Sequence, residues 1–303
     1  MSVKKRSLIA ASVAALAIAA TALTGCASDS APGADDAQTE GPVRIGVVPG
    51  GQPYWETFVE EAEKEGIEVE IVDFSEYPQP NPAVSAGDLD LNQFQHIIYL
   101  ATHNVDADDD LVALGSTVVY PLNLFSSKYT DVKDIPEGGT IAIPNDESNR
   151  ARALLVLQKL GLLELKDGGS ATSTPDDILA DKSRVKVTEL AADIIPASLP
   201  DVDGGIVNND FVELGGLDFK DSLGSDSADD AAVEPYTNIF AARAEDKDNE
   251  TYLKLVDIYQ NNETFQAALK DYVGEGAVSV KLSQDDLAKL LADAEDSYRA
   301  TKG

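Results

Sequence analysis

Residues 43–48 read Val-Arg-Ile-Gly-Val-Val, and residues 69–74 read Val-Glu-Ile-Val-Asp-Phe. Both runs are short, apolar and rich in β-branched residues, which predicts two strands. The stretch from Tyr54 to Glu65 lies between them and has helical spacing. Its apolar face consists of Trp55, Phe58, Val59 and Ala62. Strand, helix and strand in this order predict a βαβ unit, which implies a parallel sheet and an α/β fold.

A second α/β block follows along the chain. Thr140 to Ile143 is predicted to be a strand, and Ser148 to Leu160 a helix that Gly161 ends. Further predicted strands are 111–125, 185–190, 204–208 and 236–243, and further predicted helices are 81–86, 94–102, 249–261, 263–272 and 284–298. This order predicts two lobes, the first from residues 43–120 and 242–303 and the second from residues 121–241 with the crossover strands. A cleft between two lobes is a common ligand site.

The N-terminus predicts export. Lys4, Lys5 and Arg6 precede an apolar run from Ser7 to Leu23, which is the order of a secretory signal peptide covering residues 1–25. The run is at the short end for a transmembrane anchor, and no stop-transfer charges follow it. The pattern Leu-Thr-Gly-Cys at its end resembles a lipobox. It predicts that Cys26, the one cysteine of the chain, carries acyl chains such as palmitate and holds the protein on the extracytoplasmic face of the cell membrane.

Residues 27–42 are rich in Ser, Ala, Gly and Asp and predict a flexible tether. The whole chain is strongly acidic, with 54 Asp and Glu against 23 Lys and Arg and a formal net charge of −31. Such a surface repels nucleic acid and anionic lipid headgroups. We therefore expect no nucleic-acid partner, and contact with the membrane only through the lipid.

Catalytic and metal-binding patterns are weak. The chain has two histidines, His96 and His103, and no Gly-x-Ser-x-Gly motif, which argues against a hydrolase. The aspartates of residues 106–110 resemble the start of a calcium loop, but Leu111 stands at the glycine position and Thr117 at the final glutamate position. The sequence thus predicts no enzyme, no metal and no cofactor.

One set of polar and aromatic residues remains as a candidate binding site: Tyr77, Phe94, His96, Tyr99, Arg152, Asn208 and Asn238. Each alone has an ordinary explanation, because aromatic residues are commonly core and asparagines commonly cap or turn. Their surroundings carry the argument. Residues 87–96 read Gly-Asp-Leu-Asp-Leu-Asn-Gln-Phe-Gln-His, and residues 143–146 read Ile-Pro-Asn-Asp before Asn149 and Arg152. Val207-Asn208 and Pro235-Tyr236 with Asn238 follow.

These segments resemble the NlpA lipoprotein family, the methionine-binding components of methionine ABC importers, from about Val43 to the end. The resemblance implies a periplasmic-binding-protein fold, type II-like, with a ligand cleft between two α/β lobes. It implies that Arg152 holds the ligand carboxylate through two parallel hydrogen bonds. Asn208 and Asn238 would fix the amino-acid end, and Tyr77, Phe94, His96 and Tyr99 would surround the side chain.

The expected function is therefore capture of methionine, or a close analogue, by a monomeric lipoprotein that delivers it to an ABC permease and its ATPase. A methionine-containing dipeptide or another apolar amino acid is the alternative ligand, and a surface lipoprotein without a transport role is the alternative class. We also expect Arg152 to serve the ligand alone, so that its loss leaves stability nearly unchanged.

Overall fold

The structure is a computed structural model that describes residues 41–227, 231–273 and 277–303. The strands are β1 (Val43–Val47), β2 (Val69–Asp73), β3 (Leu91–His96), β4 (Val112–Ser116), β5 (Val118–Val119), β6 (Asn123–Phe125), β7 (Gly139–Pro144), β8 (Val185–Leu190), β9 (Gly204–Val207), β10 (Gly224–Ser225), β11 (Asn238–Ala242) and β12 (Val278–Ser279). The helices are α1 (Tyr54–Lys64), α2 (Pro80–Ser85), α3 (Ile97–Ala107), α4 (Glu147–Lys159), α5 (Ile195–Ser198), α6 (Glu250–Asn261), α7 (Glu263–Val273) and α8 (Gln284–Lys302).

The first sheet has the strand order β2-β1-β3-β11-β4. Strands β2 and β3 run parallel to β1, which confirms the predicted βαβ unit. Helices α1, α6 and α7 pack on one apolar core of this sheet, where Phe58 and Tyr259 are fully buried. Helices α3 and α8 pack on another, with Leu100 and Leu287 at the contact.

The second sheet has the order β10-β6-β9-β7-β8. Strand β7 runs parallel to β8 and β9, and β6 runs antiparallel to β9. Helix α4 covers this sheet with Leu154 and Leu157, which are fully buried. The chain thus forms two α/β units, each with its own five-stranded sheet, as predicted.

Two assignments from the sequence are wrong in detail. Residues 94–96 belong to strand β3, and the helix begins only at Ile97. Polar residues interrupt the apolar pattern of β3, but they are buried because the strand lies between β1 and β11. Strand β11, which we assigned to the second lobe as a crossover strand, pairs antiparallel with β3 and β4 in the first sheet. The lobe bounds themselves stay a prediction.

The polar residues of β3 are satisfied by one another and by α2. Nδ2 of Asn81 donates to Oε1 of Gln95 at 2.8 Å, and Nδ2 of Asn92 donates to Oδ1 of Asn81 at 2.8 Å. Nε2 of Gln95 returns a bond to Oδ1 of Asn92 at 2.8 Å. A closed network of this kind removes the cost of burying the amides and holds the end of β3 rigidly.

The predicted signal peptide, Cys26 and the tether up to residue 40 lie outside the described residues. Within the described ranges, no helix combines the length and the apolar character that crossing a membrane requires.

Candidate functional site

The site begins where β3 turns into α3. His96 ends the strand and caps the helix, since its Nδ1 accepts a hydrogen bond from the backbone N–H of Tyr99 at 3.1 Å. With Nδ1 occupied as an acceptor, Nε2 carries the proton of the neutral ring and donates to Oδ1 of Asn149 at 3.3 Å. Burial, assisted by the nearby positive charge of Arg152, lowers the pKa of His96 to about 3, so the imidazole is neutral at physiological pH.

Asn149 connects the two sheets at this point. Asp146 caps α4, and its Oδ1 accepts from both the backbone N–H and Nδ2 of Asn149, at 2.9 and 3.0 Å. The Asn149 amide is thereby oriented with its oxygen towards His96. The same oxygen accepts from Nδ2 of Asn208 at 3.0 Å. One buried amide thus positions a residue of β3 and a residue that follows β9. Burial raises the pKa of Asp146, while these hydrogen bonds act in the opposite direction.

Arg152 lies one turn beyond Asn149 on α4 and is 5% exposed. Its Nε donates to Oδ2 of Asp226 at 2.8 Å, and its Nη2 donates to the carbonyl oxygen of Tyr120 at 2.7 Å. Its guanidinium carbon stands 4.5 Å from the ring centre of Tyr236, a cation–π arrangement. Two of the five N–H groups are used in these bonds, and Nη1 donates none to the described residues. The remaining N–H groups can still form a fork for a carboxylate.

Asn208 and Asn238 approach from the two sheets. Asn238 begins β11 opposite His96, and Asn208 directly follows β9; both side chains are less than a tenth exposed. Oδ1 of Asn208 is buried and has no hydrogen-bond partner in the part of the chain that the structure describes. A buried acceptor without a partner is costly, so this oxygen is available to a donor group of a bound molecule.

Aromatic rings form another wall of the site. The ring centre of Tyr77 lies 5.8 Å from that of Phe94 and 6.0 Å from that of Tyr99. Phe211, from the segment after β9, lies 5.2 Å from Tyr77. Burial raises the pKa of Tyr99, so the phenol stays protonated. These rings offer apolar faces and edges to one side of a ligand.

All seven residues singled out from the sequence line one cavity. The sequence analysis did not select seven further lining residues: Gln95, Tyr120, Pro121, Leu122, Asn149, Asn209 and Asp210. A signal existed for Asn149, which precedes Arg152 by one helical turn on the same face. A weaker one existed for Asp210, two residues beyond Asn208.

The sequence analysis compared residues 106–110 with a calcium loop and predicted no metal site there. Nε2 of His103 lies 3.0 Å from Oδ2 of Asp109, and Lys302 pairs with Asp106. No group of three His, Cys, Asp or Glu side chains is placed to hold a metal ion within the described ranges.

Comparison with known proteins decides the family. The profile of the NlpA lipoprotein matches residues 43–280. The chain belongs to the NlpA lipoprotein family. It is 36% identical over 266 residues to the D-methionine-binding lipoprotein MetQ of Salmonella typhi, covering 86% of this chain and 94% of that protein.

Solved structures of other binding proteins are also similar to this chain. A nutrient binding protein from Burkholderia cenocepacia bound to methionine matches with 34% identity and a TM-score of 0.72, covering 78% of this chain and 99% of that one. The substrate binding protein of a methionine transporter from Streptococcus pneumoniae matches with 33% identity and a TM-score of 0.73, covering 79% and 95%. The predicted two-lobed periplasmic-binding-protein fold and the family are thus confirmed. These relatives are binding proteins by name.

Proposed function

We propose that this protein is a lipid-anchored, extracytoplasmic binding protein that captures methionine and delivers it to an ABC importer. The observation that carries the proposal is the composition of the cavity around Arg152. It combines free guanidinium N–H groups, an unpartnered amide oxygen on Asn208 and a wall of aromatic rings. These are the groups that a zwitterion with an apolar side chain requires.

The α-carboxylate would bind the free N–H groups of Arg152. Charge-assisted hydrogen bonds of this kind are stronger than neutral ones, and a cavity shielded from water strengthens them further. The ammonium would donate to Oδ1 of Asn208, which satisfies the buried acceptor. Asn238, at the start of β11, would contribute a further amide at the same end.

The thioether would lie against Tyr77, Phe94 and Tyr99, with His96 beside them. Sulfur–aromatic contacts each contribute about 0.3–1.5 kcal/mol. The neutral state of His96 supports this assignment, because a charged imidazole would be a poor neighbour for an apolar side chain.

The names of the relatives support a transport partner. One is the substrate binding protein of a methionine transporter, which favours an ABC permease with its ATPase as the partner of this chain. Lipidation of Cys26 would hold it at the membrane. We also propose a monomer, because Ile194 and Leu214 are the only large hydrophobic residues exposed among those described. Obligate interfaces need a larger apolar surface.

Isothermal titration calorimetry tests the ligand. The full mature lipoprotein, in detergent and freed of co-purified ligand by unfolding and refolding, is titrated with L-methionine, D-methionine, norleucine, alanine and glycyl-methionine. We expect tight binding of methionine. Absence of binding heat with both methionine enantiomers would overturn the proposal. Mass spectrometry of the ligand released from freshly purified protein separates methionine from a methionyl peptide.

A further inference from the structure

Asp210 is a carboxylate in the ligand cavity that none of the roles above uses. It follows β9 by three residues, and its Oδ2 accepts from the hydroxyl of Tyr77 at 2.6 Å. Its Oδ1 accepts from Nδ2 of Asn209 at 2.8 Å. Both partners are neutral. No Lys, Arg or His forms a salt bridge with Asp210 among residues 41–227, 231–273 and 277–303.

The charge of the cavity makes this carboxylate unusual. Arg152 is the one Lys or Arg among the lining residues, and Asp226 already balances it at 2.8 Å. Asp210 is the one Asp or Glu that lines the cavity in the described part of the chain. The cavity thus offers a carboxylate without a counter-ion, and an ionised group in such a place is expensive unless a cation pairs with it.

We propose that Asp210 is the counter-ion for the primary ammonium group of the ligand, so that capture requires a free amine and is coupled to release of a proton. This inference rests on the proposed function. An ammonium has three N–H donors, so it can bind Asp210 and a neutral acceptor such as Oδ1 of Asn208 together. The amine can belong to free methionine or to the N-terminus of a methionyl peptide.

The proton coupling follows from the surroundings of Asp210. Burial raises its pKa to about 7, while the hydrogen bonds from Tyr77 and Asn209 act in the opposite direction. A bound ammonium favours the ionised carboxylate and lowers this pKa. Below pH 7 the free protein therefore holds a proton that binding must expel. Affinity rises with pH between about 5 and 7 and levels off above.

The ionisable groups that interact most closely with Asp210 stay protonated in that interval. They are tyrosines from α1, from the segment after β5, from α6 and α7, and from the segment before α2, and each has a raised pKa to which Asp210 contributes: Tyr54, Tyr120, Tyr259, Tyr272 and Tyr77. Across the cavity His96 has a pKa of about 3. Asp146, which faces Tyr77 and Tyr99, also has a raised pKa. Any effect of Asp146 on the pH dependence of binding therefore remains in the Asp210→Asn variant.

The test compares three ligands on the full mature lipoprotein: L-methionine, glycyl-methionine and N-acetyl-L-methionine. Asp210→Asn removes the charge but keeps an oxygen for the Tyr77 hydroxyl. It should weaken binding of the amine ligand by roughly 10- to 100-fold, as expected for a hydrogen bond to a charged group. N-acetyl-L-methionine, which has no ammonium group, should bind the parent weakly, and Asp210→Asn should not weaken its binding further. The matched control is Asp201→Asn, an exposed carboxylate outside the cavity, which should bind as the parent does.

The parent alone gives a second readout that needs no variant. Calorimetry in buffers with different ionisation heats should detect proton release on binding at pH 6 and little at pH 8. At pH 6, Asp210→Asn should release fewer protons on binding than the parent. Tighter binding of glycyl-methionine than of methionine identifies a peptide as the source of the amine, and the reverse identifies the free amino acid. The inference is overturned if Asp210→Asn binds both amine ligands like the parent, or if the parent binds N-acetyl-L-methionine equally well. If the parent binds neither amine ligand, the proposed function fails instead.

Discussion

Arg152 and Asp226 form a buried ion pair, with Nε of the arginine 2.8 Å from Oδ2 of the aspartate. Their side chains are 7% and 11% exposed. Oδ1 of the same aspartate accepts from the backbone N–H of Leu122 at 2.8 Å. The pair therefore ties helix α4 to the segments that precede β6 and follow β10. Arg152 has a structural role in addition to any role towards a ligand, which corrects our expectation that it serves the ligand alone.

Arg152→Ala should reduce both binding and stability. The affinity for methionine should fall by roughly 100- to 1,000-fold, because the ligand carboxylate loses its cationic partner. The free energy of unfolding should fall by about 1–3 kcal/mol, because Asp226 remains buried without its arginine. Calorimetry and urea denaturation measure the two effects. Arg150→Ala is the matched control on the same helix, since its pair with Glu189 is partly exposed and should contribute little. Unchanged affinity for methionine in Arg152→Ala would remove this residue from the site.

Asn149→Ala should be more damaging than the loss of one hydrogen bond. It leaves Nε2 of His96 and Nδ2 of Asn208 without their common acceptor. We expect a loss of about 1–3 kcal/mol in stability and a weaker affinity for methionine. In a double-mutant cycle with Asn208→Ala the losses should not add, because both variants break the same contact. Asn145→Ala, an exposed residue just before helix α4, is the control. Additive losses would mean that Asn149 does not position Asn208.

His96 should make the protein less stable in mild acid. Its pKa is about 3 in the folded protein, whereas the unfolded chain takes up the proton as the pH falls below about 6.5. This contribution to stability is complete above pH 6.5 and is lost progressively towards pH 3. Urea denaturation at pH 7.5, 6 and 5 should show a smaller acid-dependent loss for His96→Gln than for the parent. His103→Gln serves as the control. A proton NMR titration of the His96 ring with a midpoint near pH 6.5 would contradict the prediction.

Phe94→Ala should discriminate between ligands. It removes a ring from the aromatic wall but leaves Arg152 and both asparagines in place. Methionine should lose roughly tenfold or more in affinity, while alanine, which has no side chain long enough to reach the wall, should lose much less. Titration of both ligands, with norleucine to separate sulfur from chain length, measures this. An equal loss for alanine and methionine would show that the ring acts on the fold rather than on the side chain of the ligand.

Cys26→Ser tests the anchor. Without the thiol no diacylglycerol can be attached, so the variant should remain unprocessed or be released into the medium. The folded domain should still bind the ligand, because the residues that line the cavity all fall between Tyr77 and Asn238 in the sequence. One acyl chain anchors only marginally, so the parent should carry two or three. Mass spectrometry of the N-terminal peptide and fractionation of cells measure the outcome. A processed, membrane-bound Cys26→Ser protein would refute the lipobox.

The sequence by itself determined those parts of the fold that depend on local pattern. The strand–helix–strand stretch from Val43 to Asp73, helix α4 and helices α6 to α8 follow from periodicity and capping residues. Periodicity reports which side of an element is buried. The family, and with it the two-lobed fold, followed from ordered segments such as residues 87–96. These segments also contained Phe94 and His96, which the structure brings to one cavity with Arg152 and Asn208.

Only the tertiary structure decided what depends on partners distant in sequence. Residues 94–96 form a strand because β1 and β11 pair with the two edges of β3 in the sheet. The side-chain amide of Asn81, in helix α2, also satisfies the buried amides of this strand. Asp226 pairs with Arg152 across a sequence separation of 74 residues, and Asp210 accepts a hydrogen bond from Tyr77 across a separation of 133. In a chain with 54 acidic residues, composition cannot single out two carboxylates. Burial and the choice of partner distinguish them, and both are properties of the folded chain.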